Sequence, residues 1–209
     1  MTFSLGSTPR SLVKYNDKSI AAITEVGSGA GLQDAMVLIK TITASSSDLV
    51  TFDSDIDSTY PIYLFKYINV HPSTNSYLTV GFRDGSTAYD ATKTTTDFYA
   101  QHAEADGSTA LAYSTGQDLA QSTSFQRIGN GIGNGNDESG AGTLHLFAPS
   151  SSVFVKHFIS NVHTYNEANL AVNCFCAGYF NTTSAIDEIQ FKMSSGNIDA
   201  GTIKLYGVT

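Results

Sequence analysis

The chain has no tryptophan, two cysteines, four prolines and little charge, with Asp, Glu, Lys and Arg making up 14% of its 209 residues. Each shortage removes a class of protein. Eleven basic residues against nineteen acidic ones leave a net charge of −8, without the positive footprint that a phosphate backbone demands. Nucleic acid is therefore not an expected partner, and acidity of this size serves solubility. No stretch approaches the roughly 20 continuous apolar residues of a membrane-spanning helix, so no membrane insertion is expected. The opening M-T-F-S-L-G-S-T-P-R places its arginine after the apolar residues and has no apolar h-region, unlike a secretory signal.

Cys174 and Cys176 stand two apart in N-C-F-C-A-G-Y. On a strand they share a face about 7 Å apart, too far to bridge each other without distortion. No Cys or His pair nearby matches them, so they are a poor zinc signature and are expected as buried free thiols.

What remains is rich in Ser, Thr, Asn, Gly, Tyr and Phe, the habit of all-β proteins built from many short strands and turns. The clearest stretch is Ile186–Val208. Ile189, Phe191 and Met193 alternate with Glu188, Gln190 and Lys192, and Ile203 and Leu205 alternate with Thr202, Lys204 and Tyr206. Period-2 alternation predicts two half-buried strands, and Ser194–Asn197 with Gly201 between them predicts a hairpin. Ile189, Phe191, Ile203 and Leu205 are the expected core residues.

Upstream, strands are expected at Met36–Ser45, Leu49–Phe52, Tyr60–Val70 and Tyr77–Arg83, the last closed by Asp84-Gly85, a hairpin signal. From Ser86 to Gln126 the pattern weakens, with Thr96–Ala105 read as a strand. Asn130–Gly142 reads as a glycine-rich loop. Strands return at Thr143–Phe147, Val153–Val162 and Asn169–Phe180. This spacing, with no long helical pattern, predicts an antiparallel two-sheet β-sandwich over residues 36–209, a jelly roll being the specific version. Residues 1–35 differ in kind. Apart from a candidate strand at Ser19–Val26, they carry isolated apolar positions and the run V-G-S-G-A-G-L, and they predict an extended attachment arm.

Candidate sites thin out on inspection. Asp53-Ser54-Asp55-Ile56-Asp57 has the opening spacing of a calcium loop, but Ser58 and Leu64 stand where an EF-hand needs Gly and Glu, so a polar turn is expected. Asn134, Asn136, Asp137 and Glu138 belong to a glycine-rich loop whose composition alone supplies such residues. G-N-G-I-G-N-G lacks the lysine and the strand-to-helix setting of a phosphate cradle. The five histidines, His71, His102, His145, His157 and His163, are scattered; only His145 and His157, on neighbouring expected strands, are placed to meet. No nucleophile elbow accompanies them. No catalytic, cofactor-binding or metal-binding residue is assigned.

Five stretches then take on a joint meaning: L-I-K-T-I-T-A-S-S-S (Leu38–Ser47), T-S-F-Q-R-I-G-N-G-I-G-N (Thr123–Asn134), G-T-L-H-L-F-A-P-S-S (Gly142–Ser151), F-V-K-H-F (Phe154–Phe158) and the run from Ala177 to Val208. Together they resemble a family of tailed-phage virion proteins common in marine cyanophages and their relatives. The similarity covers residues 36–209, and its most specific part is S-G-N-I-x-x-G-x-x-x-L-Y-G (Ser195–Gly207). The resemblance implies a non-enzymatic structural protein of the virion, either a capsid decoration or a tail-appendage component. It implies other virion proteins and further copies of the chain as partners, with a homotrimer as the expected assembly, and no cofactor. Lys14–Thr24 is similar to the attachment segments of phage fibre proteins, which gives the arm its expected task. Two other classes compete. A tail-fibre module would use loops 84–96 and 129–142 to bind a host glycan or receptor, and an enzyme such as a depolymerase would need a site that the residues do not spell out.

Overall fold

The structure, a computed structural model, describes Ala35–Thr209. The expected arm, with its strand at Ser19–Val26, falls outside the described residues except for Ala35. Twelve strands follow in order: β1 (Met36–Ser47), β2 (Val50–Phe52), β3 (Ile62–Pro72), β4 (Leu78–Arg83), β5 (Lys93–Ala103), β6 (Thr109–Tyr113), β7 (Gln126–Arg127), β8 (Gly140–Phe147), β9 (His157–Tyr165), β10 (Leu170–Phe180), β11 (Glu188–Met193) and β12 (Ile198–Val208). Among the described residues there is no helix.

The strands form an eight-stranded sheet, ordered β1-β12-β3-β8-β9-β10-β5-β6, and a four-stranded sheet, ordered β2-β11-β4-β7. Every pairing between them is antiparallel. The protein is an all-β, two-sheet sandwich, as the alternation predicts. Both sheets turn their apolar faces inward on one aromatic cluster. Phe191 on β11 meets Phe65 and Tyr67 of the large sheet edge-on at 5.5 and 5.4 Å between ring centroids, and Phe52 of β2 at 6.2 Å. A second cluster joins Phe82 of β4 to Phe180 and Phe158 of the large sheet at 4.7 and 5.1 Å. Edge-to-face contacts of this kind add to the area buried. Ile189, Phe191, Ile203 and Leu205 are all within 1% of full burial.

Two expected hairpins are absent. β11 pairs with β2 and β4, whereas β12 pairs with β1 and β3, so the segment between them arches from one sheet to the other. Gly196, at φ +68°, allows the reversal. Asn197 and Ser73 exchange backbone and side-chain bonds that pin the arch beside the β3–β4 link. The Asp84-Gly85 turn likewise joins strands of different sheets, β4 and β5. Alternation fixes which side chains face the core, and a strand and its successor satisfy it equally from opposite sheets.

One expected strand shifts along the chain. Val153–Val155 are not in β9. Ser151 Oγ accepts bonds from the Val153 and Phe154 amides in a tight local turn, and the three apolar side chains are exposed. β9 begins instead at His157. The strand expected at Thr96–Ala105 matches β5, which starts three residues earlier at Lys93.

Candidate functional site

Backbone register sorts the outward side chains of the large sheet into rows. One row reads Met36, Val208, Ile62, Phe147, His157, Tyr179 and Thr94 across successive strands. The next reads Leu38, Tyr206, Leu64, His145, Ile159, Ala177 and Thr96. In the third, Lys204, Lys66, Thr143 and Asn161 give way to Phe175, Phe98 and Tyr113. Phe98 and Phe175 stack with centroids 4.9 Å apart and planes 9° from parallel. Ile159 is 52% exposed, Leu38 52% and Tyr113 51%. A shallow groove of about 510 Å³ crosses this face, lined by Phe147, His157, Ile159, Tyr179, Thr94 and Thr96. The outer side of the small sheet carries Thr51, Thr79, Gln190 and Lys192, with the Phe125 ring packed over Gly81. A solvated sheet face ordinarily alternates to polar residues, so an aromatic and aliphatic one is unusual.

The histidines follow the same register. His145 lies opposite Ile159 and His157 opposite Phe147, so the two occupy adjacent rows of one face, diagonal to each other. Each packs on an aromatic ring, His145 on Phe147 and His157 on Tyr179.

The candidate loops are largely consumed by the fold. In loop 84–96, residues from Lys93 onward are strand, and the Tyr89 hydroxyl donates to Glu188, which also holds Arg83. Burial, with Glu188 second, pushes the Tyr89 hydroxyl up to about 12. Arg83 clamps Asp187 through two bonds of 3.0 Å. In loop 129–142, the Glu138 carboxylate accepts from the Gly135 amide and fills the space a side chain at Gly133 would take. Asn134 is held by Asn75, while Asn136 and Asp137 stay exposed.

The aspartates of 53–57 are occupied as well. Lys40 reaches Asp55 at 2.7 Å and Asp53 at 3.3 Å, and Asp57 accepts from Thr59 and Tyr63. Thr59, then Tyr63, hold the Asp57 carboxyl below its usual range. These polar residues close the turn before β3, as expected.

Two cavities of about 330 and 390 Å³ lie at the loop end of the sandwich and share Asp137. The first adds His102, Glu104 and Tyr165; the second adds His71, Asn69, Asn136 and Asp199. His71 Nδ1 is 3.8 Å from Asp199. The lining is acidic and amide-rich. Among the described residues no cluster of three His, Cys, Asp or Glu has metal-binding geometry.

What the sequence did not single out is a polar layer beneath β5 and β10. Lys93, Thr95 and Asp97 alternate inward from β5, opposite Phe180, Gly178 and Cys176. Asp97 is fully buried, and neither carboxylate oxygen has a hydrogen-bond partner among the described residues. Burial pushes it up to about 6, with the nearby Ser114 hydroxyl, too poorly aligned to form a hydrogen bond, pulling the other way. The ammonium of Lys93, also fully buried, donates only to the Ala91 carbonyl among the described residues, and burial lowers it to about 8. Cys174 and Cys176 are free and buried, as expected, and burial pushes the Cys174 thiol up to about 12. The signal was the inward period of K-T-T-T-D, which reads as a surface when polarity alone is followed.

Comparison of the chain with protein-family models, with curated proteins and with solved structures found no match.

Proposed function

We propose that this protein is a non-enzymatic structural component of a phage virion, exposed on the particle as a capsid decoration or tail-appendage subunit. The resemblance over residues 36–209 suggests the particle, and residues 1–35 are assigned to anchoring. The observation that carries the structural role is the outer face of the large sheet. Its rows of Phe, Tyr, Ile and Leu suit the burial of one protein against another, and two of its histidines pack on aromatic rings.

Strand order supports a jelly-roll reading of the fold. With the β5–β6 and β9–β10 pairs set aside, the eight remaining strands pair first with last in two sheets: β1 with β12 and β3 with β8 in one, β2 with β11 and β4 with β7 in the other. A single long antiparallel hairpin, rolled up, gives that order. The two removed pairs lengthen the large sheet on one side only, and they carry much of its aromatic surface.

Quantitative mass spectrometry of purified particles tests the role. The expected result is a fixed multiple of copies per particle, with density for the sandwich on the exterior in a particle map. Absence from particles, with the protein left in the lysate, would overturn it. A second reading, a glycan- or receptor-binding module, draws on the paired cavities around Asp137 with their exposed amide and tyrosine lining. A glycan-array signal lost in Asp137→Ala would favour that reading.

A further inference from the structure

The four sheet edges are not alike. β2 has three residues and β7 two, too short to template a partner. β1 breaks its ladder with a bulge between Leu38 and Lys40. β6 has none of these protections: T-A-L-A-Y is five residues without charge, proline or bulge, and it pairs on one side only among the described residues. Natural sheets guard such an edge when it must stay single.

Its hydrogen-bonding direction follows from the register. The Ala103 amide donates to the Ser108 carbonyl, and the Ser114 amide donates to the Asp97 carbonyl. Antiparallel ladders alternate, so Ser108, Ala110, Ala112 and Ser114 face β5. The amides and carbonyls of Thr109, Leu111 and Tyr113 therefore point away from the sheet. They form a set symmetric about Leu111.

We infer that β6 is the dimerisation strand of this protein, pairing antiparallel with β6 of a second copy about a two-fold axis at Leu111. In that register Leu111 faces its own copy, and Thr109 faces Tyr113 of the partner. Small Thr thus meets bulky Tyr, and the inner side brings only Ala110 and Ala112 to the axis. No charged side chain lies on the strand, so two copies of an acidic chain meet there without like charges directly apposed. The pairing satisfies the outward backbone groups reciprocally, which an isologous contact requires. It also joins two large sheets into one, carrying the Phe175–Phe98–Tyr113 stripe toward the neighbour. Leu111 is 76% exposed in the single chain, more than any residue the sandwich needs for its own core. The threefold assembly implied by the resemblance would need a head-to-tail surface instead. The inference stands apart from the virion reading.

Sedimentation equilibrium of the full chain tests it. The expected result is a concentration-dependent dimer of twice the 22.2 kDa chain mass. Leu111→Lys should raise its dissociation constant by roughly a hundredfold, because it apposes two like charges on the axis. Phe154→Lys, at an equally exposed loop position, should leave the dimer intact. Circular dichroism of both variants should match the wild type, and so should their thermal midpoints at concentrations where the wild type is monomeric, since neither side chain is buried in the single chain. A monomer at concentrations up to about a millimolar, a trimer, or a dimer that survives Leu111→Lys would each overturn the assignment.

Discussion

The sandwich proper and its one-sided extension solve burial differently. Between β1-β12-β3-β8 and the small sheet, the interior is dry and aromatic, with Phe52, Phe65, Tyr67 and Phe191 touching edge to face. Beneath β5 it is polar, although Phe180 at the end of β10 still joins the second aromatic cluster. Thr95 donates to Gln126, the Gln126 amide donates to the Gln117 and Arg127 carbonyls, and the Asn130 amide donates to the Cys174 sulfur. Among the described residues the Lys93 ammonium in that layer donates only to a backbone carbonyl, and the Asp97 carboxylate has no hydrogen-bond partner. The first region stabilises the fold; the second gives up stability in return for a wider sheet and the surface on it. Proteins tolerate such local inconsistency where the element serves something beyond folding.

The sharpest contrast should come from the dry side. Phe191→Ala removes the ring shared by both sheets and should destabilise the protein by about 3–5 kcal/mol, read as a lower midpoint in denaturant unfolding. An unchanged midpoint would mean that the aromatic cluster does not hold the sheets together.

The polar side should respond in the opposite direction. Lys93→Met keeps the length of the side chain and removes a buried charge, so stability at pH 7 should rise by about 1–3 kcal/mol. The folded-state value of Lys93 is depressed, to about 8 from 10.5. Wild-type stability from this group is therefore lost as pH falls through about 8 and recovered as pH climbs toward 10.5. The advantage of Lys93→Met should shrink over that alkaline window, and a loss of stability at pH 7 would count against the burial argument.

The outer face should matter least to folding. Phe98→Ala removes one ring of an exposed stack and should cost about 0.5–1.5 kcal/mol in the isolated protein. A cost as large as that of Phe191 would mean the outer face is a second core.

The same contrast explains what could be read from the sequence. Both regions have strands, but the alternation of apolar with polar that marks β11 is missing from β5. E-I-Q-F-K-M announces its inward face, and Ile189 and Phe191 are buried as that pattern says. In β5 the inward positions are Lys93, Thr95 and Asp97 while Phe98 points out, so hydropathy alone gives no start for the strand and suggests the wrong face. β6, with its small alanines inward and Leu111 and Tyr113 outward, left no expected strand at all. Sheet partners were illegible for a different reason: alternation is blind to whether the next strand returns beside its predecessor or across from it. The apolar outer face was hidden likewise, because its rows gather residues from distant strands that only register brings together.

Asp97 separates the two regions most directly, and unfolding free energy measured from pH 4 to pH 8, in the wild type and in Asp97→Asn, tests the difference. Its folded-state value is raised, to about 6 from 3.8, so its contribution is full below pH 4 and is lost as pH rises through about 6. Over that interval the wild type should lose roughly 2–3 kcal/mol relative to the variant. Asp57, whose carboxyl is held low by Thr59 and Tyr63, acts below this window and is common to both proteins. Asp97→Asn should therefore be the more stable protein at pH 7.5, with the difference fading toward pH 4. A wild type that is as stable as the variant or more so at pH 7.5, with no relative loss between pH 4 and pH 7, would contradict the claim that the extension carries an unpaired buried charge.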